Sequence, residues 1–455
     1  MTFPESDCQS RSIYRRCGVS RGRIGHARSA ATWSRSFSRA AGGENTTSVL
    51  RAADGGIIVV GSDALGTSVI VAAIAPDGAP LWSTTLSAGG GHFIPNGATL
   101  TADGGVVVSA TVGSDPDEET VLAKLDSAGS VVWQQEISAP GSNRLYGLVE
   151  AANGEILGVG QFQPNSSPFA GWIVRLTATG SVLWSRIVTM AHDDLFLADV
   201  TAADGGDFVA VGTTATTAPR NGDILAIRFD ANGNLVWNVT FGDRLNDGGR
   251  SLARLSGGDF ALVGTTTLAD SPCVANPFVA RFDGNGNVVW QDAVITPVAE
   301  CSEVPWMSLH PATAVWRGPD WSRTADNSEV GTIVALTAAG APVWKVRNLD
   351  QRRIPGLQAG PAGGYVSGGI ADAGFVISVL GSNGLVAANC PNVTTEIPSV
   401  APFKPEATSR ESDADFRSCL GTVVLRVGAR DEPDVPRTLQ WAVNCAAQML
   451  VLTRL

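Results

Sequence analysis

The chain has little positive charge, few charged residues of either sign and no long apolar run. Lysine is limited to Lys124, Lys345 and Lys404, only 16% of the 455 residues are charged, and the formal net charge is -11. An acidic protein lacks the basic face that nucleic acids require, which argues against nucleic-acid binding. Because no stretch of eighteen apolar residues occurs, we expect no transmembrane helix.

The sequence also lacks the short motifs that usually identify a catalytic or metal site. None of its 7 cysteines belongs to a CxxC pair, and no Gly-x-Ser-x-Gly, HExxH or P-loop occurs. Three of the 4 histidines, His92, His192 and His310, stand far apart in the chain without a repeated acidic companion. We therefore expect no catalytic residue, no metal and no cofactor.

The sequence does contain a unit that recurs about every fifty residues. One copy runs from Phe229 to Trp237, and each copy has a Gly four residues before its Trp. A seventh Trp lies upstream without the turn, so the repeated tryptophans are Trp33, Trp82, Trp133, Trp184, Trp237, Trp290 and Trp344. A fixed period near fifty with a strand-turn-strand core indicates a β-propeller.

Each period holds four short apolar runs, here named strands A, B, C and D, with the Trp on D. Gly-rich turns separate A from B and C from D, as hairpins require. The sequence therefore predicts an all-β fold: a seven-bladed β-propeller of four-stranded antiparallel blades, with a small C-terminal appendage of unknown fold. Trp33 lacks strands A to C, and the last A to C set lacks a D strand, so the Trp33 strand should close the ring. The tryptophans are interpreted as structural residues that hold neighbouring blades together.

Four segments are expected. Residues 1–30 form a disordered Arg/Ser-rich leader, 31–390 the propeller, 391–405 a linker, and 406–455 a tail with a short strand and a helix. No signal peptide is present as written. Two interpretations remain open: the start is misassigned, or the protein stays inside the cell. We favour a secreted, cell-surface or periplasmic protein.

The six Gly-x-x-x-Trp turns resemble the tryptophan-docking repeats of quinoprotein-like (PQQ-like) bacterial secreted β-propellers. That group includes dehydrogenases and non-enzymatic outer-membrane assembly lipoproteins. The adjacent cysteine pair of alcohol-oxidising members is absent here. The resemblance thus implies the propeller fold and favours a non-enzymatic role.

Two functions are consistent with the sequence. The first is a non-catalytic binding scaffold at the bacterial surface or outside the cell. It would bind a protein or glycan partner and would be a monomer. The alternative is an enzyme, quinone-dependent or a hydrolase/lyase, with its site at the central channel. The A strands carry mostly small and apolar residues, and among them only Asp199 stands out, which favours binding.

The binding surface is predicted on the face formed by the B–C and D–A connections, here called the loop face, because those connections vary in length and chemistry. The A–B and C–D hairpins form the opposite turn face. Candidate partner-binding charges on the loop face are Asp193, Asp194, Asp243, Arg244, Asp247, Arg352 and Arg353. Cys273 and Cys301 lie in adjacent loop-face connections and are predicted to form a disulfide in an oxidising compartment.

Overall fold

The computed structural model describes most of the repeat region and short segments beside it. The described residues are 6–7, 32–37, 45–88, 91–113, 118–137, 141–163, 168–189, 193–216, 222–241, 246–267, 276–294, 315–320, 330–337, 339–340, 342–348, 353–360, 364–371, 374–380, 393–396 and 400–402.

Almost every described residue belongs to a short antiparallel strand or to a tight turn between two strands. In the repeated unit around Asp230, the N–H of Gly233 donates to the Asp230 carbonyl and the N–H of Asp230 donates to the Asn234 carbonyl. The Asp230 carboxylate accepts the N–H groups of Asn232 and Asn234, each at 2.8 Å. Gly233 has a φ of 79°, which only Gly adopts cheaply. The repeated Asp and Gly therefore build the C–D hairpin.

Two strands precede the first blade: β1 (Ser6–Asp7) and β2 (Trp33–Phe37). Blade 1 consists of β3 (Asn45–Arg51), β4 (Ile57–Ser62), β5 (Ser68–Ile74) and β6 (Pro80–Ser87). Blade 2 consists of β7 (Phe93–Leu100), β8 (Val106–Val112), β9 (Glu119–Leu125) and β10 (Val131–Ile137). Blade 3 consists of β11 (Ser142–Glu150), β12 (Ile156–Gln163), β13 (Ala170–Leu176) and β14 (Val182–Val188). In each of these blades the strands pair in the order A, B, C, D.

Blade 4 consists of β15 (Asp193–Ala202), β16 (Phe208–Thr216), β17 (Gly222–Phe229) and β18 (Leu235–Phe241), with a 3-10 turn at Asp204–Gly206. Blade 5 consists of β19 (Asp247–Arg254), β20 (Phe260–Thr266), β21 (Asn276–Phe282) and β22 (Val288–Val294). The sixth repeat contributes β23 (Val315–Asp320), β24 (Val330–Leu336) and β25 (Pro342–Asn348). The last repeat contributes β26 (Arg353–Ala359), β27 (Tyr365–Ala371) and β28 (Gly374–Leu380).

The Trp33 strand completes the last blade, as the orphan strands at the two ends predict. β2 pairs antiparallel with β28, so that Trp33 lies opposite Val379 and Phe37 opposite Phe375. The rings of Phe37 and Phe375 stack with their centroids 5.3 Å apart. Residues more than three hundred positions apart thus form one sheet, and the fourth strand of the last blade comes from the start of the chain.

The described residues contain six complete four-stranded blades, whereas the sequence predicted seven. The sixth repeat accounts for the difference, because its sheet contains only strands β23, β24 and β25 of the repeat. Val315–Asp320 pairs with β24 and so occupies the B position. Residues 295–314, which precede it, lie outside the described residues.

Buried apolar clusters join each sheet to the next around the ring. One cluster packs Val263 of blade 5 against Val334 of the sixth sheet, and another packs Ile333 of that sheet against Leu357 of the last blade. Phe37 and Phe375 of the last blade pack with Val49 of blade 1. The remaining neighbours are joined in the same way. Burial between sheets therefore holds the ring together.

The repeated tryptophans dock on the C–D turn of the following blade. The indole Nε1 atoms of Trp82, Trp133 and Trp237 donate to the carbonyls of Ser127, Ala178 and Gly284, at 2.9, 3.0 and 3.0 Å. The turn glycines Gly129, Gly180, Gly233, Gly286 and Gly340 lie against the rings of Trp82, Trp133, Trp184, Trp237 and Trp290. These five indoles are half-buried rather than fully buried, because they lie near the outer edge of the ring.

Blades 2 to 5 share an ion pair on the turn face. In each blade a cation near the end of the C strand contacts a carboxylate of the A–B turn. The pairs are Lys124–Asp103 and Arg175–Glu155 at 2.6 Å, Arg228–Asp207 at 2.9 Å and Arg281–Asp259 at 2.6 Å. Arg228 also donates to the carbonyl of Gly284 in the next blade, at 2.6 Å. These charged side chains of the turn face thus make contacts that stabilise the blades.

Short strands from the two ends of the chain lie on the outer edge of the ring. β1 pairs with β2. Part of the segment predicted as a linker, residues 391–405, forms β29 (Val393–Glu396) and β30 (Val400–Pro402). β29 pairs with β25 and β30 pairs with β22, both antiparallel. This segment is therefore in part an addition to the blades. Apart from Ser6 and Asp7, the leader 1–30 lies outside the described residues, as does the tail 406–455.

Candidate functional site

The A strands of neighbouring blades meet at the centre of the ring and line its channel. A Cβ atom added at Gly97 of blade 2 would lie 1.9 Å from the carbonyl oxygen of Tyr146 in blade 3. One added at Gly147 of blade 3 would lie 2.7 Å from the Cα atom of Asp199 in blade 4. Only glycine permits this approach, so the strands β7, β11 and β15 are in backbone contact.

Each of the first five A strands has one extra residue in its upper half, before the strand reaches this contact. The pairing with the B strand skips one position in every case. The bulged residues are Thr47, Asn96, Tyr146, Ala198 and Arg250. A bulge bends a strand and redirects side chains, and such bulges are common beside functional sites. This ring of five positions places polar side chains at the channel mouth on the loop face.

Arg144, Tyr146 and Glu118 form a connected group at this mouth. The Nε and Nη2 atoms of Arg144 donate to the two carboxylate oxygens of Glu118, at 2.7 and 2.6 Å. Glu118 belongs to the B–C connection of blade 2, whereas Arg144 lies on the A strand of blade 3. Arg144 also shares a hydrogen bond with Tyr146. Burial acts to lower the pKa of Arg144, but the interactions with Glu118 and Tyr146 together outweigh it and raise that pKa.

Arg250 occupies the equivalent bulge position on the A strand of blade 5. It lies two blades from Tyr146, yet the two side chains interact electrostatically. Arg250 is exposed to solvent, but desolvation by the surrounding protein lowers the pKa of its guanidinium. Burial correspondingly raises the pKa of Tyr146. The bulge positions of blades 3 and 5 therefore carry a phenol and a partly desolvated cation.

Asp199 is the channel residue that the sequence singled out, and its carboxylate joins two A strands. One oxygen accepts the N–H of Val200 at 2.8 Å. The other accepts the Ser251 hydroxyl at 2.8 Å and the Leu252 N–H at 3.0 Å, both from blade 5. Burial raises the pKa of Asp199, although these hydrogen bonds oppose the rise. Both oxygens are thus engaged, and one of them links blade 4 to blade 5.

This geometry is suited to recognising an anionic group. The guanidinium of Arg250 and the hydroxyl of Tyr146 are hydrogen-bond donors at equivalent bulge positions, whereas the amide of Asn96 donates to the Thr111 hydroxyl of its own blade at 2.6 Å. Among cationic side chains, arginine is well suited to a carboxylate or phosphate because its donors match two oxygens at once. In a protein with a net charge of -11, a cationic mouth also directs an acidic group to one place.

The loop-face charges predicted from sequence do not gather into one described cluster. Asp194 is half-buried and accepts the N–H of Phe169 in blade 3 at 2.7 Å. Asp247 is only 4% exposed at the start of β19, so it is not the solvent-exposed charge that the sequence suggested. Asp194 thereby links the start of β15 to blade 3. Asp193 and Arg353 begin β15 and β26. Asp243, Arg244 and Arg352 lie outside the described residues.

The predicted Cys273–Cys301 disulfide also lies outside the described residues, as do His192 and His310, whereas His92 is exposed. In the described part of the chain, no group of three or more His, Cys, Asp and Glu side chains could hold a metal ion. Within that part, no helix is long and apolar enough to cross a membrane.

Sequence reasoning missed Tyr146 and Arg250. The A strands were characterised by their small and apolar residues, and only Asp199 was singled out. The signal was present: a bulky polar residue directly precedes the small one in blades 2, 3 and 5. Only the bulge, which depends on pairing with the B strand, shows that this residue faces the channel.

The fold and the docked tryptophans define the class: this is a PQQ-like β-propeller repeat protein. A family model described as "Outer membrane protein assembly factor BamB" matches residues 22–204. A search of curated proteins finds no match. The earlier resemblance to quinoprotein-like repeats is thereby confirmed.

Three solved structures illustrate what the chain is similar to. A catalytically inactive virginiamycin B lyase from Staphylococcus aureus, crystallised with quinupristin, has a TM-score of 0.51 and 13% identity, covering 77% of this chain and 99% of that chain. An alpha-L-arabinanase from Penicillium chrysogenum, complexed with arabinobiose, has a TM-score of 0.41 and 10% identity over 74% and 93% of the two chains. Sqt1 from Chaetomium thermophilum has a TM-score of 0.40 and 12% identity over 75% and 97%. At these identities the likeness shows the fold alone.

Proposed function

We propose that this protein is a non-catalytic binding propeller of the bacterial cell envelope or exterior, which captures a protein partner at the loop-face mouth of its channel. The partner presents an acidic group, a side-chain or C-terminal carboxylate, to Arg250 and Tyr146. The observation that carries the proposal is that Tyr146 and Arg250 occupy equivalent bulge positions on the A strands of blades 3 and 5 and interact electrostatically.

The charge balance of the mouth supports an anionic guest. Arg144 is neutralised by Glu118, because its fork of donors meets both carboxylate oxygens. Arg250 makes no comparable ion pair among the described residues. An acidic group entering the mouth would gain a partner in Arg250 and a hydrogen bond from Tyr146, in surroundings already partly stripped of water.

The state of Asp199 favours binding over catalysis in the channel. A carboxyl group with a raised pKa is a candidate general acid. Here, however, its oxygens accept three hydrogen bonds, two of which tie the A strand of blade 4 to that of blade 5. A group held in this way supports the frame of the mouth.

The loop-face charges extend the proposed surface outward. Asp193 and Arg353 begin the A strands of blade 4 and the last blade, and Asp243, Arg244 and Arg352 stand next to such strands in the sequence. We propose that these charges select the partner around the mouth. Asp194 positions a strand end and Asp247 is buried, so both act on binding only indirectly. The envelope location is consistent with the family description, which refers to outer-membrane assembly.

A capture experiment with two variants of one strand tests the proposal. Immobilised wild-type protein, Arg250→Glu and Arg254→Glu are exposed to an envelope extract of the source organism, and the retained proteins are quantified by mass spectrometry. Arg254 is the matched control, because it ends the same strand β19 on the turn face, where it pairs with Asp204.

The wild type and Arg254→Glu should retain the same proteins, and Arg250→Glu should retain at least about tenfold less of them. The reason is that disrupting a desolvated charge pair costs about 2–5 kcal/mol. Tryptophan fluorescence and the melting temperature verify that each variant is folded. Equal retention by all three proteins contradicts the proposal.

A further inference from the structure

The outer edge of the propeller already receives added strands at three of its D strands. β1 pairs with β2, β29 with β25 and β30 with β22, all antiparallel. An exposed edge strand has unpaired N–H and C=O groups that accept another strand. In the last three sheets, segments from the two ends of the chain satisfy these groups.

The three additions occur at the same height on the D strand. β30 lies opposite Asp292 to Val294, which are two to four residues after Trp290. β29 lies opposite Lys345 to Asn348, one to four residues after Trp344, and β1 opposite Arg35 and Ser36, two and three residues after Trp33. The three added strands therefore pair with equivalent positions of their D strands.

A bulge in the D strand accounts for this height in blade 5 and the sixth sheet, whereas β2 pairs with β28 without a register shift. In the bulged strands the residue before the Trp is skipped in the pairing with the C strand, as Val236 is in blade 4 and Val289 in blade 5. These two bulged side chains are 49% and 52% exposed. A bulge twists an edge strand and prevents regular pairing there. Only the part of the D strand beyond the Trp is straight enough to accept a partner.

The C-terminal segment moves backward around the ring, one blade at a time. After β28 of the last blade, the chain adds β29 to the sixth sheet and then β30 to blade 5. Three residues, 397–399, bridge the step between those two edges. Blade 4 comes next in this direction. Within the described residues, its D strand β18 pairs only with β17.

We propose that the segment Thr422–Val427 adds an antiparallel strand to the edge of blade 4, opposite Val239–Phe241. These three residues stand two to four positions after Trp237, the same height as in blade 5. Residues 403–421 separate the segment from β30. This connection is much longer than the three residues that join β29 to β30 on the neighbouring blade, so it is long enough to reach blade 4. The segment reads Thr-Val-Val-Leu-Arg-Val, rich in the β-branched residues that strands favour. The rest of 403–455 offers no other run of this kind.

A photo-crosslinker placed at Thr240 of the full-length protein tests the proposal. Thr240 is exposed and stands three residues after Trp237. The matched control is Thr85 of blade 1, also an exposed threonine three residues after its Trp, Trp82. p-Benzoylphenylalanine replaces each threonine in turn, and the products of irradiation are mapped by mass spectrometry.

Thr240 should crosslink to residues 420–429 of the same chain, at monomer mass, and Thr85 should not. A dimer-mass adduct, an adduct with a foreign protein, an adduct elsewhere in the chain, or none at Thr240 would each overturn the proposal. A second measurement removes dependence on crosslinking chemistry. In the variant Val424→Pro, hydrogen exchange of Val239–Phe241 should become at least tenfold faster, while the equivalent Arg186–Val188 of blade 3 stays unchanged. Unchanged exchange at Val239–Phe241 also overturns the proposal.

Discussion

The indole of Trp82 in blade 1 lies directly on Gly129 in the C–D turn of blade 2. A Cβ atom at Gly129 would come within 2.5 Å of the indole Cε3, and the indole Nε1 donates to the Ser127 carbonyl of the same turn. Gly129 also has a φ of 82°. The turn glycine therefore serves two purposes: it permits the hairpin, and it makes room for the tryptophan of the preceding blade.

Gly129→Ala should destabilise the protein by about 2–5 kcal/mol, because a strained positive φ and overpacking against the indole add together. The control is Gly205→Ala in an A–B turn. Gly205 has a φ of 77°, but nothing lies within 4 Å of an added Cβ, so it should lose only about 1–2 kcal/mol. Urea denaturation of both variants measures the difference. Equal losses would show that the docked indole does not need this glycine.

Phe37→Ala should weaken closure of the ring. Phe37 is 5% exposed and packs in the cluster that joins the last blade to blade 1. Removing its ring should cost about 3–5 kcal/mol. Ser34→Ala on the same strand removes only a hydroxyl that hydrogen-bonds to Ser378 at 2.8 Å, which should cost about 0.5–1.5 kcal/mol. Thermal and urea unfolding compare the two. A Phe37→Ala protein as stable as the wild type would mean that β2 does not close the ring.

The lowered pKa of Asp103 predicts that the free energy of unfolding falls at acidic pH. The hydrogen bond from Lys124, followed by that from Thr101, lowers the pKa of Asp103 from 3.8 to about 2. A lowered pKa in the folded state gives stability that is present above the ordinary pKa and is lost as the pH falls from about 4 towards 2. The loss should be about 1 kcal/mol or less, because the Asp103 side chain is 59% exposed and solvent screens the pair.

Melting temperatures between pH 5 and 2 measure this effect. Asp103→Asn should flatten the profile between pH 4 and 2. Lys124→Met, which removes the cation and keeps an apolar stem, should flatten it in the same window. If the profiles of the wild type and both variants have the same shape, the pair does not contribute to stability.

The sequence allows most of the frame to be predicted, because the frame repeats. The Gly four residues before the repeated Trp predicts the C–D hairpin, on which the tryptophan of the preceding blade docks. The unpaired strand at Trp33 predicts how the last blade is completed. The sixth repeat departs from the pattern, and there the prediction of a complete blade was wrong. Val315–Asp320 contains Gly318 and Pro319 and does not read as a strand, yet it pairs with β24. Pairing with a neighbour overrode its weak local preference.

The site could be predicted only in part, because it depends on contacts between blades. Asp199 was recognisable as an unusual residue in an A strand, but its role as a link to Ser251 and Leu252 requires the neighbouring strand. Asp247 was interpreted as a surface charge, since local sequence does not show that the start of β19 is covered. Tyr146 and Arg250 were missed because a bulge shifts them towards the channel.

The central claim, that a partner enters the loop-face mouth, is tested most directly by photo-crosslinking from inside that mouth. p-Benzoylphenylalanine replaces Tyr146, an aromatic substitution, and in a second protein it replaces Asn232, which is exposed on the turn face. Both are irradiated with envelope extract of the source organism, with and without the additional change Arg250→Glu. The account predicts an adduct with a second protein at Tyr146 that Arg250→Glu abolishes, and none at Asn232. An adduct at Asn232 alone, or one at Tyr146 that persists unchanged with Arg250→Glu, would contradict it.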